Sequence, residues 1–149
     1  MTPFDMIKEQ LGAVVPFQNH VGVRLLDLSD GTASATLEQS KETSNHIQTQ
    51  HAGAMFTLGE AASGAAMAGA MAPVIMTVRP VAKDARIAYV KIAKGTLTAH
   101  AKTSAPSADL LAELKSVGKV AFEVTIDIRD TEDDTVAEMA VTWHLSQRA

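Results

Sequence analysis

The 149-residue sequence contains no cysteine. Disulfides, thiolate metal sites and cysteine nucleophiles are therefore all excluded. The sequence also has no excess of basic charge, because 17 acidic residues face 13 lysines and arginines and the net charge is −4. This balance gives no electrostatic reason to expect a nucleic-acid partner.

Motifs of several enzyme classes are missing as well. The sequence has no Gly-rich phosphate-binding loop, and no Gly-x-Ser-x-Gly nucleophile elbow surrounds Ser63. The five histidines lack the paired spacing of metal ligands, and the acidic stretch 130–134 lacks the spacing of a calcium loop. We therefore expect no metal and no cofactor.

The sequence gives little indication of export or of a membrane. Its N-terminal segment carries Asp5, Lys8 and Glu9 and no apolar secretory core, which predicts a cytoplasmic protein. The run from Ala61 to Val78 is uncharged and long enough for a membrane span. It consists mainly of Ala and Gly, however, and Pro73 interrupts it, so we expect no membrane partner.

One long apolar stretch dominates what the sequence does contain. The segment Ala52–Ala72 is long enough for about five to six helical turns, and it is weakly polar on every side, which is typical of a helix wrapped by other elements. Between His51 and Arg79 the one charged residue is Glu60. An unpaired carboxylate in apolar surroundings is costly. We therefore interpret Glu60 as a working group that is retained for chemistry.

Strand patterns precede and follow this helix. Asp30-Gly31 is a strong hairpin signal between the first two strands. A short helix is predicted over Pro3–Leu11, and a helical turn or two over Ala108–Ser116. The predicted strands are Val21–Ser29, Thr32–Gln39, Ala85–Ala93, Thr96–Thr103, Val120–Arg129 and Thr135–Ser146.

This order of elements predicts an α+β fold. Strands segregated from one long helix favour an antiparallel sheet curled around that helix. Such a sheet has free edges and one uncovered layer, and dimerisation is a natural way to cover them. Nothing in the sequence suggests a domain boundary, so we expect a single domain over residues 1–149.

At Asn45, His51, Gly53 and Glu60 the chain resembles the hotdog-fold acyl-CoA thioesterases, especially the phenylacetate-pathway subfamily. The signature of that family is an Asn, then a His-Gly-Gly whose His lies six residues later, then an acid nine residues after the His inside the central helix. This chain keeps both spacings, and the order of elements agrees from about Val21 onward. The resemblance implies a hotdog domain, an acyl-CoA substrate and a homodimer or dimer-of-dimers tetramer.

Two positions depart from the family pattern. The first Gly of the Gly-Gly pair is Ala52 here, although its backbone N–H is still available. Some relatives carry Ser or Thr four residues after the acid, where this chain has Gly64, with Ser63 one position earlier. These positions are expected to contact or orient the substrate.

Thioester hydrolysis needs a group that activates water or attacks the carbonyl, together with donors for the developing oxyanion. Glu60 would be the base, or the nucleophile of a transient anhydride. At the start of the central helix the backbone N–H groups of Ala52 and Gly53 are predicted to be unpaired and to bind the oxyanion. Asn45 and His51 would add side-chain donors or hold the preceding loop.

The spacing of these groups predicts a site shared between subunits. Glu60 lies nine positions after His51, a separation of roughly 13 Å and about two and a half helical turns. Glu60 is therefore expected to face away from the start of its own helix. Two antiparallel central helices in a dimer could each supply the helix start for the other's Glu60.

Other interpretations of the same residues stay open. Glu60 could be a structural acid, His51 a cap or loop residue, and Asn45 a turn residue. The protein could also be a hydratase or dehydratase on the same fold, or a module that binds acyl-CoA without turnover. Four methionines are expected to fill the core, although they could also line an acyl tunnel: Met55, Met67, Met71 and Met76. A basic stretch could meet the phosphates of coenzyme A or simply be solvated: Arg79, Lys83, Arg86, Lys91 and Lys94.

Overall fold

The computed structural model describes residues 1–148 and has the predicted α+β hotdog architecture, a six-stranded sheet around a central helix. The helices are α1 (Pro3–Val14), α2 (Pro16–Val21), α3 (Ala52–Ala70) and α4 (Ser107–Val117). The strands are β1 (Arg24–Leu28), β2 (Thr32–Leu37), β3 (Val78–Tyr89), β4 (Leu97–Thr103), β5 (Lys119–Arg129) and β6 (Thr135–Gln147). Every neighbouring pair is antiparallel, in the order β1-β2-β4-β5-β6-β3.

The central helix α3 forms the core of the molecule, and 14 of its 19 residues are buried. The small Ala side chains and the absence of a side chain on Gly allow the sheet to approach the helix closely, while Met55 and Met67 fill the remaining space. Met71 is also buried, as predicted, but Met76 is 67% exposed. The prediction for Met76 was wrong because the helix ends at Ala70 and a short 3₁₀ turn, Ile75–Thr77, carries the chain back to the surface.

The helix α3 approaches the chain at the end of β1 closely at Gly69. A Cβ atom there would collide with the carbonyl oxygen of Ser29, at the end of β1. We expect Gly69→Ala to lower the free energy of unfolding by about 1–3 kcal/mol, because backbone atoms on both sides must shift. Urea unfolding would measure the loss.

Gly12 offers a matched control in the interior of α1, since a Cβ atom at this position meets nothing within 4 Å. Gly12→Ala should raise stability by about 0.5–1 kcal/mol through the better helix propensity of alanine. Equal stability of the two variants would show that the close approach at Gly69 does not constrain the fold.

The sequence prediction was wrong in two regions. Val21 ends α2 instead of opening a strand, because Pro16 starts a short helix and Gly22 ends it with a left-handed φ of 101°. The third strand runs over Val78–Tyr89 and not over Ala85–Ala93. Apolar and polar residues do not alternate at either end of β3, because this strand lies at the edge of the sheet and is exposed over most of its length.

The other elements agree with prediction to within a few residues. The helix α1 extends to Val14 and begins with a capping box, in which Thr2 and Asp5 exchange side-chain-to-backbone hydrogen bonds. The predicted turn at Asp30-Gly31 joins β1 to β2, and Gly31 has a φ of 75°. Within residues 1–148, no helix combines the length and the apolarity that a membrane crossing requires.

Candidate active site

The accessible face of α3 is narrow. Beyond Ala52, four residues of the helix are not buried, namely Gly53, Phe56, Glu60 and Gly64. Their spacing of three, four and four residues places them in one line along the helix, which we call the open stripe. Glu60 lies in its middle and is the stripe's one charged group.

The Glu60 carboxylate makes no hydrogen bond or ion pair with any of residues 1–148, although its backbone carbonyl accepts a hydrogen bond from Ser63 Oγ at 2.7 Å. Burial raises the pKa of Glu60 above its ordinary value of 4.5, because the charged form loses water contacts without gaining a partner. A carboxylate in this state is a stronger base than one in water. It is free to take a proton from a reactant.

The start of α3 differs from the sequence prediction at Gly53. The side chain of His51, the N-cap residue, accepts the Gly53 N–H at Nδ1 with a distance of 2.8 Å. The prediction of an unpaired Gly53 N–H was therefore wrong. The N–H of Ala52 donates no hydrogen bond within residues 1–148, so this donor remains available at the positive end of the helix dipole.

Asn45 shapes the loop before α3. Its Oδ1 accepts the N–H groups of Ile47 at 3.1 Å and Thr49 at 3.0 Å, and its Nδ2 donates to Thr49 Oγ1 at 2.7 Å. The buried Gln50 side chain donates to the carbonyl oxygen of Gly95 at 3.0 Å, which ties the loop to the start of β4. Together these bonds fix the position of the following residue, His51.

Ser63 and Gly64 both lie beside Trp143 of β6. Ser63 is fully buried, and its Oγ accepts a hydrogen bond from Trp143 Nε1 at 3.1 Å. A Cβ atom at Gly64 would come within 3.3 Å of the edge of the same indole ring. Ser63 thus anchors the ring, and Gly64, one turn after Glu60, leaves the open stripe without a side chain at that point.

The structure also corrects the predicted direction of Glu60. Gly53 and Glu60 lie on the same face, because their separation of seven positions makes about two full turns. A large axial separation remains, since Glu60 lies eight positions after Ala52, which corresponds to about 12 Å along the helix axis. A cavity of about 410 Å³ opens beside the helix start, and Ala52 is part of its lining but Glu60 is not. One carbonyl group cannot contact both groups within a single chain.

Tyr89, the last residue of β3, belongs to this site but was not predicted from any sequence pattern. Its hydroxyl donates to the carbonyl oxygen of Ala52 at 2.9 Å, and its ring lines the same cavity beside the helix start. Burial raises the pKa of Tyr89 above its ordinary value of 10.0, which keeps the hydroxyl protonated as a donor. The one available signal was that it is the chain's single tyrosine.

Two of the five basic residues singled out from the sequence are held in ion pairs. Arg86 lies 3.0 Å from Glu123, and Lys91 lies 2.7 Å from Asp134 and 3.5 Å from Asp130. The Lys91 pairs fix the segment after β3 against the β5–β6 hairpin. These two side chains are therefore already neutralised by acidic neighbours.

Solved structures from several bacteria share this fold. A Pseudomonas aeruginosa protein of unknown function, described as a probable thioesterase, is 23% identical over 99% of this chain and 97% of its own, with a TM-score of 0.82. The E. coli PaaI protein from the phenylacetic acid degradation operon is 20% identical over 95% and 94%, with a TM-score of 0.70. A mutant of a Staphylococcus aureus thioesterase is 18% identical over 89% and 99%, with a TM-score of 0.72.

At these identities the likeness establishes the fold alone. No curated protein matches the chain. A domain family whose function is unknown, DUF4442, matches residues 5–145. The chain therefore belongs to the DUF4442 family.

Proposed function

We propose that the protein hydrolyses the thioester of a small or medium acyl-CoA. The observation that carries this proposal is the unpaired Glu60 carboxylate on the open stripe of an otherwise buried helix, whose first turn leaves the Ala52 N–H free. A base and an oxyanion donor are the two parts that thioester hydrolysis requires. The description of two structural relatives as thioesterases supports the same chemistry.

In this mechanism Glu60 is the general base. It takes a proton from water while the water oxygen bonds to the carbonyl carbon of the thioester. The N–H of Ala52 stabilises the oxyanion of the tetrahedral intermediate. The carbon–sulfur bond then breaks, and the leaving sulfur takes the proton from Glu60. The products are the carboxylic acid and the free thiol of coenzyme A.

The two groups act on one carbonyl when they come from different subunits. The edge strand β3 exposes most of its residues and offers an unpaired backbone edge. A second copy paired there would cover this edge and set the two α3 helices side by side. We propose a homodimer, alone or as half of a dimer-of-dimers tetramer, in which each helix start serves the other subunit's Glu60.

The remaining residues position these groups or make room for the substrate. Asn45 fixes the loop before the helix, and His51 holds the first turn through Gly53. Gly64 lies one turn after Glu60 and has no side chain, so the Trp143 ring can pack close to the helix there, and we place the acyl group next to the base along this ring. Ser63 contributes indirectly by anchoring the Trp143 ring beside that space.

A thiol-release assay over a panel of aliphatic and aromatic acyl-CoAs tests the proposal. We expect turnover of at least one of these compounds at about 1 s⁻¹ or faster. Binding of the panel without release of thiol would contradict hydrolysis and favour a non-catalytic binding module. Hydration of an enoyl-CoA without thiol release would contradict it in favour of a hydratase.

A further inference from the structure

The contact between Tyr89 and Ala52 joins the edge strand of the sheet to the start of the central helix. These residues are 37 positions apart in the chain, and the hydroxyl-to-carbonyl distance is 2.9 Å. Tyr89 is the last residue of β3 and is 47% exposed, so it lies at the surface and is not part of the buried core. Its hydroxyl bond is therefore a directed contact on the surface and contributes little to the burial of apolar area.

This bond completes a set that fixes nearly every backbone group around the Ala52 N–H. The peptide between Ala52 and Gly53 is held at both ends, its carbonyl by Tyr89 and its N–H by His51 Nδ1. The N–H of His51 donates to the carbonyl oxygen of Thr43 at 2.7 Å, and its carbonyl accepts the N–H of Met55 at 3.0 Å. The one N–H in this set without an acceptor in residues 1–148 is that of Ala52.

We propose that Tyr89 is a positioning residue that orients the Ala52 N–H toward the oxyanion, an inference that rests on the proposed thioesterase activity. The N–H and the carbonyl of Ala52 belong to consecutive peptide planes joined at its Cα atom. Anchoring the second plane restricts rotation about that atom and therefore limits the direction of the N–H. An oxyanion donor must be held within about 0.5 Å of its productive place, and bonds from neighbouring groups supply that precision.

Tyr89→Phe removes the hydroxyl and keeps the ring. We expect kcat to fall about 3- to 10-fold, the effect of one hydrogen bond, with KM changed less than about twofold. Thr77→Val is the matched control, because the Thr77 hydroxyl also donates to a backbone carbonyl, that of Val74, at 2.8 Å beyond the other end of α3. It should leave kcat unchanged.

A double-mutant cycle with Ala52→Pro separates positioning from a general structural effect. Proline removes the N–H that Tyr89 is proposed to orient, so Tyr89→Phe should have no further effect on the residual rate of Ala52→Pro. If Tyr89→Phe lowers kcat by the same factor in the unmodified protein and in Ala52→Pro, the proposal is overturned. An unchanged kcat in the Tyr89→Phe single variant would also overturn it. Both outcomes leave the thioesterase activity of the unmodified protein intact, whereas an inactive unmodified protein would remove the proposed function and this inference together.

Discussion

Glu60→Gln is expected to reduce kcat for thioester hydrolysis by about 10²- to 10⁴-fold, the usual contribution of a general base. Glutamine keeps the size and position of the side chain but cannot accept the proton of the attacking water. The thiol-release rate at saturating acyl-CoA measures the effect. Glu113→Gln, on the exposed face of α4, removes one negative charge elsewhere and should leave the rate unchanged.

The pH dependence gives a second signature of the same group. Hydrolysis needs Glu60 ionised, and burial raises its pKa, so the acid limb of the rate profile should have its midpoint above 4.5. A rate that is independent of pH through this region would contradict the role of Glu60. So would a Glu60→Gln variant with the activity of the unmodified protein.

The Glu60→Gln variant should be at least as stable as the unmodified protein at neutral pH. Because the pKa of Glu60 is raised on folding, its protonated form favours the native state. This contribution to the free energy of unfolding is complete below 4.5 and is lost as the pH rises through the raised pKa. Glutamine carries no charge at any pH, so the variant should lose this part of the pH dependence.

Ala52→Pro is expected to reduce kcat by about 10²- to 10³-fold, the effect of removing one oxyanion donor. Proline is favoured at the first position of a helix, and the Ala52 N–H has no acceptor in the described chain, so no internal hydrogen bond is lost. The preceding residue, His51, already has the extended φ of −71° and ψ of 142° that a following proline requires. The fold should therefore be retained, which circular dichroism would verify.

Ala52→Gly is the matched control for this substitution. It also changes the side chain but keeps the N–H, so its rate should stay within about threefold of the unmodified protein if the N–H is what matters. Full activity of Ala52→Pro would contradict the oxyanion role. Equal losses in the two variants would assign the effect to the side chain at this position instead.

The sequence was sufficient to predict the central helix and its acid, because a single charge in a long apolar run is a local pattern. The strands β4 and β5 alternate between buried and more exposed side chains, which is the pattern that predicts a strand. The edge strand β3 was placed wrongly because exposure on most of its length removes that alternation. The edge position of β3 also explains why Pro80 is tolerated there, since an edge strand need not donate every backbone N–H.

The contacts that complete the candidate site could not be predicted because they join distant residues. Trp143 and Ser63 are 80 positions apart, and their hydrogen bond depends on how β6 crosses α3. The capping of Gly53 by His51 is local, and a cap was one of the interpretations left open for His51, although histidine is not among the residues that usually cap a helix. Because of that bond, only one of the two N–H groups predicted to be unpaired, that of Ala52, is unpaired in the described chain.

A heterodimer of two inactive variants tests most directly whether the site is shared between subunits. One subunit carries Glu60→Gln and the other Ala52→Pro, and different affinity tags allow the mixed dimer to be purified. In a shared arrangement, one of its two sites receives both substitutions, while the other receives an intact Glu60 and an intact Ala52 N–H. We predict about half the activity of the unmodified dimer. Activity no higher than that of the two parent variants would contradict the account, because it would place both groups of each site in one chain.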